Sequence, residues 1–185
     1  MAQRKSERTR AGILAAARER FGADGYERAT VRAIAADAAI DPAMVIRYFG
    51  SKEKLFAEAA EFDIRLPDVS GVPAAEVGTT LVRHLVARWE EDDTFRVLLR
   101  TAATNESAAE RMRHVFATQL APTLAGLAVD QPALRAGLVA TQALGFALCR
   151  YILQLPPVTA LTADQAVAFL APTITHYLTA PLSAE

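Results

Sequence analysis

Cys149 is the only cysteine in a chain of 185 residues, so no disulfide can close within the chain and no cysteine cluster can hold a metal. Set in an apolar stretch, it reads as a small core residue. Histidine is almost as scarce. His84, His114 and His176 are the three present, and none lies at the i, i+3 or i, i+4 spacing that would place two metal ligands on one helix. The glycines form no phosphate-cradling loop and no nucleophile elbow. An enzyme is therefore not expected, nor is a metal or a cofactor. No uninterrupted apolar run approaches the ~18 residues of a membrane span, and the charged N-terminal residues lead into no export-signal core. These absences point to a cytoplasmic protein with no membrane partner. Strand-like alternation and internal repeats are also missing, which leaves an all-α fold.

Net charge is nearly absent as well, at −1 overall, but it is unevenly spread. Residues 1–54 carry 11 Lys+Arg against 7 Asp+Glu, or +4, and residues 55–185 carry 9 against 14, or −5. A basic head on an acidic body suits a protein that presents only its head to phosphate. Arg4, Lys5, Arg8 and Arg10 precede or begin the first helix, where a mobile arm can reach DNA phosphates or the minor groove. The plainer alternative for these four is a solvated terminus.

The stretch from Thr30 to Lys52 reads as two short helices joined by a tight turn. Thr30 caps a helix over about Val31–Ala38, in which Val31, Ile34 and Ala35 share one face. Asp41 caps the next, and Pro42 occupies a first-turn position where a missing N–H costs nothing. Val45 and Phe49 point inward. At ~100° per residue the opposite face centres on Ala43 and Arg47, flanked by Met44, Ile46 and Tyr48. Arg47 can pair with guanine or bind phosphate, whereas Ala43, Met44 and Ile46 offer apolar contacts such as thymine methyls accept. Ser51 caps a further helix with Lys52 in its first turn, a place for a backbone phosphate. Packing alone would also produce such a hairpin.

Beyond it the spacing predicts helices over Lys52–Leu66, stopped by Pro67, then Val77–Glu91, Thr94–Ala103, Ser107–Leu127 with a disturbance at Pro122, Pro132–Gln154, and Ala163–Leu178 with a kink near Pro172. Ser107 with Glu110 and Thr162 with Gln165 have capping-box spacing. Pro156-Pro157 ends the penultimate helix. The last two helices are poor in charge, with only Arg150 between Ala136 and Leu155 and only Asp164 between Ala163 and Leu182. Helices apolar nearly all round need cover, and the same helices of a second chain supply it economically.

Thr9-Arg10, Ile13-Leu14, Ala17, Phe21, Gly25-Tyr26, Thr30-Val31, Ile34-Ala35, Ile40, Tyr48-Phe49, Ser51-Lys52 and Leu55 follow, in order and without a gap, the N-terminal DNA-binding domain of the tetracycline-repressor (TetR) family of bacterial regulators. The chain from Thr9 to Ala57 resembles that domain throughout. The resemblance implies a helix-turn-helix DNA-binding domain at 1–54 and a larger helical domain at 55–185 for ligand binding and dimerisation. It lays the helix opened by Pro42 in the major groove of a palindromic operator, with Ala43, Met44 and Arg47 at base edges and Thr30, Tyr48 and Lys52 on phosphates. Two positions depart from the family: Ala39 stands where a turn glycine is frequent, and Ile46 where a phosphate-binding tyrosine is frequent. The first implies either a turn without positive φ or a small strain; the second removes one phosphate contact.

The C-terminal region looks like a domain common among actinobacterial members. By that resemblance the last two helices form a four-helix homodimer interface, here through Gly137, Leu138, Thr141, Gly145, Phe169 and Thr173. The body would enclose a small-molecule effector, with Trp89, Phe95, Leu99, Met112, Phe116 and Phe146 as apolar lining and His84, Gln142 and Arg150 as polar contacts; packing is the alternative role for each. The reading is a ligand-responsive repressor, released by an apolar or amphipathic effector. A competing one, motivated by Ala39 and Ile46, is a helical binding or adaptor protein whose hairpin no longer binds DNA.

Overall fold

The structure is a computed structural model that describes residues 2–91 and 93–181, with side chains from residue 6 onward. The fold is all-α, without strands among the described residues. The helices are α1 (Ala2–Arg28), α2 (Val31–Asp37), α3 (Pro42–Phe49), α4 (Lys52–Ala59), α5 (Val77–Glu91), α6 (Asp93–Ala102), α7 (Glu106–Val115), α8 (Ala121–Ala125), α9 (Pro132–Ala147), α10 (Pro156–Thr159) and α11 (Ala163–Thr179). They form two compact units, Met1–Phe62 with Asp93–Met112, and Asp63–Asp92 with Arg113–Glu185.

In the first unit α1 packs against α2, α4 and α6. Its core is an aromatic cluster in which Phe56 meets Phe21 and Tyr26 edge-on at 5.0 Å each, and Ile13, Ala17, Ile34, Val45, Phe49 and Leu55 close around it. Edge-to-face contacts of this kind stabilise beyond the area they bury. Charge pairs tie the helices together at the rim. Arg20 holds Asp37 with two bonds of 2.8 and 2.6 Å, joining α1 to α2. Arg10 pairs with Glu58 and lies 5.0 Å over the Phe49 ring. The residues expected as a mobile arm are instead the first turns of α1, because the helix begins at Ala2. Gly25, at φ 75°, interrupts it near the other end.

The hairpin forms by the caps its sequence announces. Thr30 Oγ1 accepts from the Ala33 amide at 3.1 Å, Asp41 Oδ1 from Ala43 at 2.7 Å, and Ser51 Oγ from Lys54 at 3.2 Å. The turn resolves the alternative at Ala39: its φ is +54°, the left-handed region, so the strain is present. With Ala39 turned this way, the Ile40 amide reaches the Ala35 carbonyl at 2.9 Å and α2 ends cleanly.

Three expected boundaries differ. α4 stops at Ala59 rather than Leu66. Phe62 and Ile64 are buried while Glu61, Asp63 and Arg65 are exposed, the period-2 pattern of extended chain. The Asp63 carbonyl accepts from Arg88, and the Ile64 carbonyl lies 2.8 Å from His84 Nε2, so side chains of α5 replace the helical bonds. α7 is capped by Asn105, whose Oδ1 accepts from Ala108 at 3.0 Å, two residues earlier than the expected Ser107 box. Pro156 opens the short α10 as well as following the end of the preceding helix. The disturbance at Pro122 takes the form of a π turn, Phe116–Leu120, and a second, Leu148–Ile152, extends α9.

In the second unit α5 packs along α11 as its main helix pair, and α9 contacts both. By length and mean hydropathy Pro132–Ile152 would pass as a membrane span, but its buried face is committed to this bundle. The close approach of α5 and α11 depends on Gly78, whose amide donates to Thr175 Oγ1 at 3.2 Å. Fully buried Arg135 closes the C-terminal end of α11 by donating to the Tyr177 and Ala180 carbonyls while paired with Asp130 at 2.8 Å. The Thr162–Gln165 capping box is formed in full.

Two stability measurements follow from these backbone positions. A Cβ on Gly78 would lie 2.2 Å from the Ala171 carbonyl oxygen, so Gly78→Ala should destabilise by roughly 1–3 kcal/mol and lower Tm by several degrees; an unchanged Tm would contradict the close packing. Ala39→Gly removes a left-handed penalty of ~1–2 kcal/mol and adds unfolded-state entropy worth about 0.4–1 kcal/mol, so its net effect on chemical denaturation lies between none and a gain of about 1.6 kcal/mol. A clear loss of stability would contradict the turn geometry.

Candidate nucleic-acid interface

The caps and the aromatic cluster together leave one face of α3 open. Val45 and Phe49 are buried, whereas Pro42, Ala43, Ile46 and Arg47 are exposed and Met44 and Tyr48 are half-buried. The open face thus offers one guanidinium beside a largely apolar strip, as the helical spacing predicts.

Groups suited to phosphate flank this strip. Thr30 is exposed, and because its oxygen serves as the α2 cap acceptor its hydroxyl proton remains available to donate. Lys52 Nζ lies 4.3 Å over the Tyr26 ring and 3.4 Å from the Glu27 carbonyl. That ring orients the ammonium at the start of α4, where first-turn amides also point outward. Tyr26, missed in the sequence reading, donates its hydroxyl to Glu53 at 3.1 Å. Burial first, and then Glu53, push its pKa up to about 12, so it stays neutral beneath the lysine. Glu53 in turn is held below the usual carboxylate range, chiefly by its hydrogen bond with Ser51. Tyr48 Oη lies 3.2 Å from Ser6 Oγ, which joins α3 to the first turns of α1. The signal for both contacts is long-range packing, and no local pattern carries it. Arg8 is exposed on α1, whereas the side chains of Arg4 and Lys5 lie outside the described residues.

The residues expected to line an effector cavity are divided. Phe95, Leu99 and Met112 belong to the first unit, where Phe95 stacks 5.1 Å from Phe62. His84, Trp89, Phe116, Gln142, Phe146 and Arg150 belong to the second. Several are engaged in packing: His84 with the Ile64 carbonyl, Trp89 edge-on to Tyr151 at 6.3 Å, and Arg150 with the Val158 and Leu161 carbonyls at 3.0 and 2.9 Å. Two open grooves in this unit are of small-molecule size. One of about 480 Å³ runs between α5 and α11 past Thr79, Ala171 and Thr175, and one of about 380 Å³ lies between Leu66–Ser70 and Leu127. Neither includes the residues expected. Among the described residues no cluster of three or more His, Cys, Asp or Glu side chains could hold a metal.

The expected dimer positions form a stripe. On α9, Leu134, Leu138, Thr141, Gly145 and Leu148 recur along one side, all exposed or half-buried, and on α11 Phe169 is 70% exposed beside half-buried Thr173. Cβ atoms built on Gly137 and Gly145 meet nothing within 4 Å.

Residues 13–59 match the family described as bacterial regulatory proteins, tetR family, and residues 75–178 match the tetracyclin repressor-like C-terminal domain. No curated protein matches by sequence. Among solved structures, the chain is similar to a TetR-family regulator from Streptomyces coelicolor, at TM-score 0.68 and 27% identity over 94% of this chain and 96% of the other. It is also similar to a transcriptional regulator from Rhodococcus sp. Rha1, at TM-score 0.69 and 25% identity over 91% and 95%. A third, a TetR-family regulator from Mesorhizobium loti, shares the fold at TM-score 0.65 with 16% identity over 94% and 96%. The helix-turn-helix head, the helical body and these matches over both parts agree that the chain belongs to the TetR family of bacterial transcriptional regulators.

Proposed function

We propose that this regulator is a cytoplasmic homodimeric repressor that binds a palindromic operator and is released by a small apolar or amphipathic effector. The observation that carries the DNA-binding part is the open face of α3, with exposed Arg47 at its centre and Thr30, Tyr48 and Lys52 at its edges. In this reading the 1–54 segment reads DNA and the 55–185 segment dimerises and takes the effector. Pro42, Ala43, Met44 and Arg47 enter the major groove, the side groups hold phosphates, and Arg8 with Arg4 and Lys5 adds to the electrostatic attraction.

The homodimer is supported by the stripe on α9 and α11. A glycine inside a helix costs about 0.5–1 kcal/mol relative to alanine, and Gly137 and Gly145 have no neighbour in their own chain that requires it. A partner helix approaching closely does require it. Exposed Leu134, Leu148 and Phe169 gain cover by the same contact.

The effector class is supported by what the second unit has left to offer: Arg88, Arg150 and His84 are engaged with backbone carbonyls, and the groove between α5 and α11 is lined by Ala, Pro and Thr side chains with His176. Release requires the effector to favour the arrangement that does not bind DNA, since equal affinity for both shifts nothing.

Two experiments test these assignments. In binding to a selected operator, Arg47→Ala should cost ~1–3 kcal/mol at one preferred base, while Lys52→Ala should weaken all sequences alike and flatten the salt dependence by about one unit of slope. Arg47→Ala with unchanged affinity and preference would overturn the groove placement. For the dimer, Gly145→Leu should leave helicity and folding intact yet yield monomers by sedimentation; a dimer of unchanged stability would move the interface elsewhere.

A further inference from the structure

We infer that Ile46 is a specificity-determining residue that reads the C5-methyl group of a pyrimidine in the major groove, so that each operator half-site carries an essential methylated pyrimidine, thymine in ordinary DNA. The inference rests on the proposal that α3 enters the groove.

Ile46 is a large hydrophobic side chain left 43% exposed on an eight-residue helix that buries Val45 and Phe49. It sits next to Arg47 and one helical turn from Ala43 on the open strip, with Met44 on the opposite flank of α3, and its side chain carries no polar atom. Thr30 and Lys52, the groups assigned to phosphate, stand at the starts of the neighbouring helices α2 and α4, and Ile46 is exposed on the same helix as Arg47, the helix that nucleic acid would cover. The only apolar group a base edge presents in the major groove is the pyrimidine C5-methyl. Isoleucine suits the task because its β-branch restricts χ1 to one strongly preferred rotamer in a helix, so little side-chain freedom is lost on contact. The backbone beneath is also set: the Ile46 carbonyl accepts from the Gly50 amide at 2.7 Å, closing the last turn of α3. Arg47 supplies hydrogen bonds and therefore reads a different base. Ala43 is too short, and half-buried Met44 too flexible, to discriminate one methyl as sharply.

The test uses the full-length protein and duplexes selected by it from a random pool. Each thymine of the selected site is replaced singly by deoxyuridine, which removes the methyl and leaves every hydrogen-bonding group in place. One substitution per half-site should weaken binding about three- to tenfold, the loss expected for one buried methyl. In Ile46→Ala that penalty should fall to about onefold, whereas Ile46→Val should retain part of it. Because Ile46 is exposed, both variants should keep the parent's circular dichroism and Tm. Restoring the methyl as 5-methylcytosine opposite guanine, compared with cytosine at the same position, should recover affinity in the parent and not in Ile46→Ala. Insensitivity of the parent to every deoxyuridine, or a methyl preference that survives in Ile46→Ala, would overturn the inference while leaving DNA binding standing. Selection that yields no preferred sequence would instead overturn the DNA-binding reading and this inference with it.

Discussion

A helix of eight residues is too short to hold its shape in water, so α3 keeps its geometry only because Val45 and Phe49 are buried in the first unit. Every proposed contact with DNA depends on that anchoring. Phe49 is fixed from outside by the Arg10 guanidinium lying over its ring, and α2 by the Arg20–Asp37 pair. The caps on α2, α3 and α4 complete the frame without using the open face. The result is a rigid element whose outward side chains are selected by what they can touch rather than by what they must support.

The second unit answers a different constraint. Its helices α9 and α11 are apolar nearly all round and leave Leu134 and Phe169 exposed. α5 and α11 resolve part of this by meeting closely at Gly78, where a methyl group would collide with backbone, and Arg135 satisfies the carbonyls at the end of α11 from inside the fold. The stripe through Gly137 and Gly145 on α9 has the opposite character, since nothing in its own chain occupies that space. Gly78 is explained by packing within the chain, and Gly137 and Gly145 are the positions that the proposed dimer would use.

Much of the head was legible in the sequence because its signals are local. Thr30, Asp41, Ser51 and Pro42 act within three residues of themselves, and the i, i+4 pair Val45 and Phe49 defines the inner face of α3 without reference to anything distant. Features set by long-range packing were not legible. The end of α4 at Ala59 depends on Arg88 and His84 bonding to the chain beyond it, and the seat of Lys52 depends on Tyr26 from another helix. Asn105 outcompeted Ser107 as a cap by position alone. The expected effector-cavity residues share large size, but size does not say to which unit a side chain belongs, and Phe95 packs against Phe62 in the first unit. Ala39 shows the converse: the sequence marked an unusual residue at the turn, and only the backbone could say that it accepts the left-handed conformation.

The central claim is sequence-specific recognition of DNA by a dimer through α3. Its most direct test is to incubate the purified protein with sheared genomic DNA from its source at near-physiological salt and sequence what is retained. The account predicts a few sharp peaks that share a palindrome. Uniform retention or none, repeated after refolding to strip any bound small molecule, would contradict it.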